Sequence, residues 1–150
     1  MSAAPVRVEQ VIEIDRPVED VFAYVTDPDR LPEWQKGTVQ VRRENGSGPL
    51  REGDRLHEVH RAMGRNMRST VEVAEIDPGR AFALDIVEGP LPLNGRWTFE
   101  PAGAGTRVRF TGEGDLRGPM RLAAPLVRRA VARQFRGHHE RLKRALETPG

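Results

Sequence analysis

Val6, Val8, Gln10, Ile12 and Ile14 alternate with Arg7, Glu9, Val11 and Glu13, the two-residue period of a strand with one buried face. Asp15-Arg16-Pro17-Val18-Glu19-Asp20 then offers an N-cap, with Pro17 near a first helical turn. Val18, Val21, Phe22 and Val25 share one face of the short helix this predicts, and Asp27 to Trp34 predicts a second brief helix or turn. From Thr38 to Leu116 the pattern is six strands. Four turn signals break it: Gly46-Ser47-Gly48-Pro49, Met63-Gly64-Arg65-Asn66, Asp77-Pro78-Gly79 and Ala102-Gly103-Ala104-Gly105. Pro119 to Glu147 is helical, with Val127, Val131, Phe135, His138, Leu142 and Ala145 on one stripe. Arg128, Arg129, Arg133, Arg136, Lys143 and Arg144 lie opposite. Pro125 predicts a kink or a late start to this helix.

The order is therefore strand, two short helices, six strands, long helix, an α+β arrangement over a single domain spanning 1–150. An antiparallel sheet with one apolar face must be covered, and only the terminal helix is long enough to do it. A curved sheet wrapped on a helix leaves space between them, which is where a ligand would sit.

Strand register decides which side chains face that space. A two-residue turn at Gly64-Arg65 opposes Leu56 to Val73, Glu58 to Val71 and His60 to Ser69 on one face. His57 and Glu72 fall on the other. The first face is the more apolar and continues into Phe82, Leu84 and Ile86, so it points inward. In the last hairpin the same reasoning places Trp97 against Phe110 and Phe99 against Val108 inside, with Glu100 against Arg107 outside.

The stretch His57-Glu58-Val59-His60 resembles a damaged zinc-protease motif. That motif needs two histidines four apart on a helix. Here they are three apart on a strand and face opposite ways, so no metal site is expected. Glu58 and His60 do share the inner face, with Ser69 opposite. Three readings stand for this pair: contact with water near the cavity mouth, orientation of a ligand, or acid–base work. Trp34 is read as a gate or lining residue, or as simple helix–sheet packing. Phe82, Trp97, Phe99, Phe110 and Phe135, with Leu84, form either core or cavity wall. Met67 is expected to point in and Met63 out, at an adaptable entrance. His138 is read as a hydrogen-bonded core histidine.

Composition narrows the chemistry. The chain has 150 residues, 37% hydrophobic and 31% charged, and no cysteine, which removes disulfides and thiolate chemistry. No apolar run of signal-peptide or membrane-spanning length is present, so a cytoplasmic protein without stable membrane insertion is expected. Net charge is +2, but residues 117–147 carry +7 and the rest −5. Such a segment serves nucleic acid or an anionic membrane in some proteins and is the wet face of an amphipathic helix in more; nucleic acid is not expected here. No nucleophile elbow, phosphate-binding loop or dinucleotide fingerprint occurs, and no cofactor is expected.

Four stretches in this order resemble the START/polyketide cyclase (SRPBCC, helix-grip) superfamily. They are IDRPVEDVFAYVTDPDRLPEW (14–34), GDRLHEV…GRNMRSTVEVAEIDPG (53–79), GRWTFEPAGAGTRVRF (95–110) and HHERLKRALE (138–147). The resemblance implies a seven-stranded antiparallel sheet gripping a C-terminal helix around a hydrophobic cavity. It implies a lipid-, polyketide- or aromatic-like ligand, held by a monomer or homodimer. Because no catalytic motif is common to the superfamily, no catalytic residue carries over. Simple binding, a cyclase/dehydratase using Glu58 or His60, and an interaction module built on the basic helix all remain open.

Overall fold

A computed structural model describes residues 4–89 and 93–148. Strand β1 (Ala4–Ile14) leads into α1 (Val18–Val25), a 3-10 turn at Pro28–Arg30 and α2 (Leu31–Trp34). Six strands follow: β2 (Thr38–Arg43), β3 (Arg55–Ala62), β4 (Arg65–Asp77), β5 (Ala81–Glu88), β6 (Asn94–Ala102) and β7 (Gly105–Leu116). A 3-10 turn at Gly118–Ala123 then precedes α3 (Ala124–Glu147), so Pro125 marks a late helix start rather than a kink. All seven strands form one antiparallel sheet in the order β1-β7-β6-β5-β4-β3-β2. It is the helix-grip architecture, α+β, with the apolar face of the sheet closed by α3.

Three local expectations need correction. The β3–β4 turn is Met63-Gly64, not Gly64-Arg65, because both turn residues take positive φ (53° and 75°) and Ala62 pairs with Arg65. Pairing therefore slides by two residues: Glu58 opposes Ser69, His60 opposes Met67 and Leu56 opposes Val71. A slip of two preserves the face on which every side chain lies, so the inward assignment survives it. Asp15 does not cap α1; Pro17 occupies the cap position without a side-chain bond, and the acidic Glu19 and Asp20 occupy the first turn. At its far end the buried stripe of α3 passes through Leu146, while Ala145 is exposed. The last hairpin pairs as expected, Trp97 with Phe110, Phe99 with Val108 and Glu100 with Arg107.

One buried polar network ties α3 to the sheet. The indole Nε1–H of Trp97 donates to His139 Nε2 at 3.1 Å. Indole nitrogen can only donate, so the His139 proton sits on Nδ1, which donates to Gln10 Oε1 at 2.8 Å. The Gln10 amide in turn donates to the Ala132 carbonyl at 2.7 Å, returning the chain of bonds to the helix. Burial pushes the His139 imidazole down from 6.5 to about 4, so it is neutral at ordinary pH. At the helix end Lys143 Nζ donates to the Glu13 carbonyl (2.5 Å), and Glu147 accepts from the Asp15 amide (2.8 Å).

The unfolded chain protonates His139 near pH 6.5 and the folded chain only near 4. Stability is therefore complete above pH 6.5 and is lost as pH falls through this window, by about 2 kcal/mol at pH 5 from this one residue. Replacing His139 with Leu is expected to lower stability at pH 7.5 by about 1–3 kcal/mol, since the Trp97 N–H loses its acceptor. The same variant should flatten the acid limb, which denaturant titrations between pH 7.5 and 4.5 would show.

Candidate functional site

The sheet and α3 close tightly at one end and part at the other. Trp34, Phe82 and Phe99 lie in the closed half. Phe82 stacks on Trp97 with centroids 5.8 Å apart, Phe99 meets Phe22 edge-on at 5.3 Å, and Trp34 sits edge-on to Trp97 at 5.9 Å. None of the three reaches the cavity, so the reading of them as lining residues gives way to core packing. In particular, Trp34 is wholly buried, edge-on to Trp97 and His138, and does not line the cavity.

The open half holds a cavity of about 240 Å³. Of the residues singled out from the sequence, Glu58, His60, Met67, Ser69, Leu84, Trp97, Phe110 and Phe135 line it. The α2–β2 turn (Gln35, Lys36, Gly37) forms one margin and Gln134, Phe135 and His138 of α3 the other. Phe135 stacks on Phe110 at 4.4 Å, making a flat aromatic wall. Met67 is partly exposed at the mouth, and Met63 stands fully in solvent on the hairpin tip, as expected.

Two residues not singled out from the sequence keep this space open. Gly95 and Gly112 face each other across β6 and β7 on the cavity side. A Cβ on Gly95 would lie 3.2 Å from both Phe110 and Trp97, and one on Gly112 would lie 3.0 Å from Phe110. Their lack of a side chain lets both rings lie along the sheet. A signal for them exists in the sequence: each glycine sits two residues from an inward aromatic, on the same face.

A chain of polar groups crosses this otherwise apolar wall. Thr38 donates to Gln35 Oε1 at 3.3 Å, and its oxygen lies 3.0 Å from His60 Nδ1. The contact with Nδ1 is the shorter of the two, and its direction follows the tautomer of His60. His60 Nε2 then meets Glu58 Oε1 at 3.1 Å. One proton serves that contact, carried by the imidazole or by the carboxyl. Glu58 is 4% exposed, and no donor among the described residues reaches its second oxygen, Oε2. His60 is more open, with a quarter of its side chain exposed.

His138 is buried and hydrogen-bonded, as a core histidine should be, and it also lines the cavity. Its Nδ1 accepts from the Lys36 amide at 2.8 Å, which leaves the proton on Nε2. Burial first, then His139, His60 and nearby cations, push it down from 6.5 to about 3. It is a neutral donor. His57, by contrast, lies on the outer face, 3.2 Å from Thr70 Oγ1 and 3.9 Å from Glu44. The two histidines of the quoted motif therefore cannot share an ion.

This geometry matches a known family. The chain belongs to the family described as polyketide cyclase / dehydrase and lipid transport, which it matches over residues 5–147. Among solved structures it is similar to the di-domain ARO/CYC StfQ of the steffimycin biosynthetic pathway, with TM-score 0.82 and 16% identity. That match covers 96% of this chain but only 52% of StfQ, so the chain spans about half that protein's length. A START superfamily protein of Mycobacterium smegmatis is similar at TM-score 0.80 and 14% identity, over 94% of this chain and 97% of that one. A Thermus thermophilus protein, TTHA0849, shares 28% identity at TM-score 0.68, over 94% and 98% of the two chains. No curated protein matches. No helix among the described residues is long and apolar enough to cross a membrane.

Gly112→Ala is expected to push Phe110 into the cavity and to cost about 1–3 kcal/mol by overpacking. Thermal unfolding would register the loss, and a crystal structure would show the displaced ring.

Proposed function

We propose that the protein holds a small hydrophobic, aromatic-, polyketide- or lipid-like ligand in the cavity between the sheet and α3. One observation carries this reading: a carboxylate, 4% exposed, projects into an open apolar cavity with one oxygen unsatisfied by the described residues. Leaving a buried charged or polar atom without a partner costs about 1–3 kcal/mol or more, and ligand sites commonly place such groups among apolar walls. Glu58, His60 and Ser69 supply the polar contacts on the sheet side, and Trp97, Phe110, Phe135 and Leu84 the apolar ones. The family's described roles agree with this reading. The volume favours a compact ligand over a long acyl chain.

Trp97 lines the cavity and Trp34 does not, so the site has its own reporter. In a Trp34→Phe variant, titration with neutral bicyclic aromatics is expected to quench Trp97 emission saturably. His60→Ala should weaken binding by about 5–30-fold, the worth of one or two hydrogen bonds. Unchanged emission across the panel would remove the proposal.

The shared proton between Glu58 and His60 favours a second reading, a cyclase- or dehydratase-type enzyme. His60 reaches solvent and so exchanges protons with it, while Glu58 faces the bound molecule. The cavity would fold the substrate and the pair would move its proton. In an assay with a poly-β-ketone substrate, Glu58→Gln should lower turnover by about 10²-fold or more while Kd changes little. Turnover equal to wild type would dismiss this role.

A further inference from the structure

We infer that the cavity selects a neutral, flat ligand of one or two rings carrying a hydroxyl group that hydrogen-bonds to Glu58 Oε2. The inference rests on the ligand-binding reading above and adds to it the chemistry of the ligand.

A count of protons leads to this ligand. The Thr38 hydroxyl lies 3.0 Å from His60 Nδ1 and 3.3 Å from Gln35 Oε1, so the far side of the imidazole is already partnered. One proton then bridges His60 Nε2 and Glu58 Oε1. If that proton stays on the imidazole, Glu58 is a carboxylate and Oε2 is an acceptor. If it moves to Oε1, Oε2 is a carbonyl oxygen and is again an acceptor. If Oε2 itself carries the carboxyl proton, with Thr38 donating to Nδ1 and Nε2–H donating to Oε1, Oε2 is a donor and no charge is buried. A hydroxyl group both donates and accepts, so it satisfies Oε2 in each of these arrangements.

This requirement discriminates sharply. A ligand carboxylate would bring a full charge into a largely apolar space whose cations lie at the exposed margin. A plain hydrocarbon would leave Oε2 unsatisfied. A hydroxyl satisfies it. On the facing helix, His138 lines the same cavity as a neutral imidazole with its proton on Nε2. Lys36 and Arg61 also border the cavity, but both are exposed at its margin, where water screens them.

Size and shape supply the rest. A cavity on the order of 150 Å³ takes a benzene ring, and the space here is about 240 Å³. The stacked Phe110 and Phe135 rings give it a flat side. One or two fused rings fit a space of this order.

Calorimetric titration with naphthalene, 2-naphthol and 2-naphthoate tests this. Wild type is expected to bind 2-naphthol at least tenfold more tightly than either of the others. Glu58→Leu should reduce 2-naphthol to the level of naphthalene. Glu58→Gln should still prefer 2-naphthol, because its amide can donate to His60 and keep an oxygen in the place of Oε2. Circular dichroism checks that both variants are folded. Equal affinity of wild type for naphthalene and 2-naphthol, or tightest binding of 2-naphthoate, overturns this inference while leaving the cavity as a ligand site. If none of the three binds, the inference and the binding proposal fall together.

Discussion

The hydrogen-bonded route from Trp97 through His139 and Gln10 to the Ala132 carbonyl holds α3 to the middle of the sheet. Everything else about the interior depends on where that clamp sits. Trp97 stands in the central strands and cannot donate elsewhere without moving the helix. On one side of it the aromatic and aliphatic groups close into solid packing. On the other, α3 stands off from β3 and β4, and the cavity begins. Two neighbouring imidazoles on α3 thus do different work. His139 holds the helix to the sheet, and His138 looks into the space that results. Both depend on being uncharged, which burial secures.

The cavity survives because its walls omit volume where a solid core would add it. A protein interior normally packs to the density of an organic crystal. Here two facing glycines make room for rings that would otherwise be driven inward, and the short α2–β2 turn stops before it can fill the mouth. Polar groups interrupt the apolar lining, and four residues are linked in series from Gln35 through Thr38 and His60 to Glu58. That series ends in an oxygen without a partner among the described residues. An apolar wall with one unmet polar atom is a selective surface, whereas a uniformly apolar one accepts anything that fits.

Much of this is legible in the residues themselves. Alternation along β1, β3, β6 and β7 marks the inner face of the sheet. That assignment tolerates a turn misplaced by one residue, because the resulting slip is of even parity and returns each side chain to the same side. The turn itself is hard to place because Met63 is an unusual occupant of positive φ, which glycine or asparagine normally takes. Helical periodicity identifies His138 but not His139, since the buried stripe widens where the helix crosses Trp97 and a 100° wheel does not carry that information. The division of the aromatic set is also invisible in sequence. Trp34, Phe82 and Phe99 belong to the same apolar interior as Trp97 and Phe110, and only the distance between helix and sheet decides which of them meets the cavity.

The order of strands leaves β2 as the outer margin of the sheet, six residues long and uncovered by α3. An uncovered margin offers free backbone groups to any other chain with a strand to donate, the first step of edge-to-edge aggregation. Here the ladder between β2 and β3 skips at Val39, and Arg42 and Arg43 follow within four residues. A kinked border makes a poor template for a second copy, because straight pairing would require removing the kink, and Arg43 is already committed to Asp54 and the Gly48 and Pro49 carbonyls. The cavity-bearing half of the molecule, built on β3 and β4 just inside this border, is therefore flanked by an irregular strand where a flatter, longer one would offer a ready template.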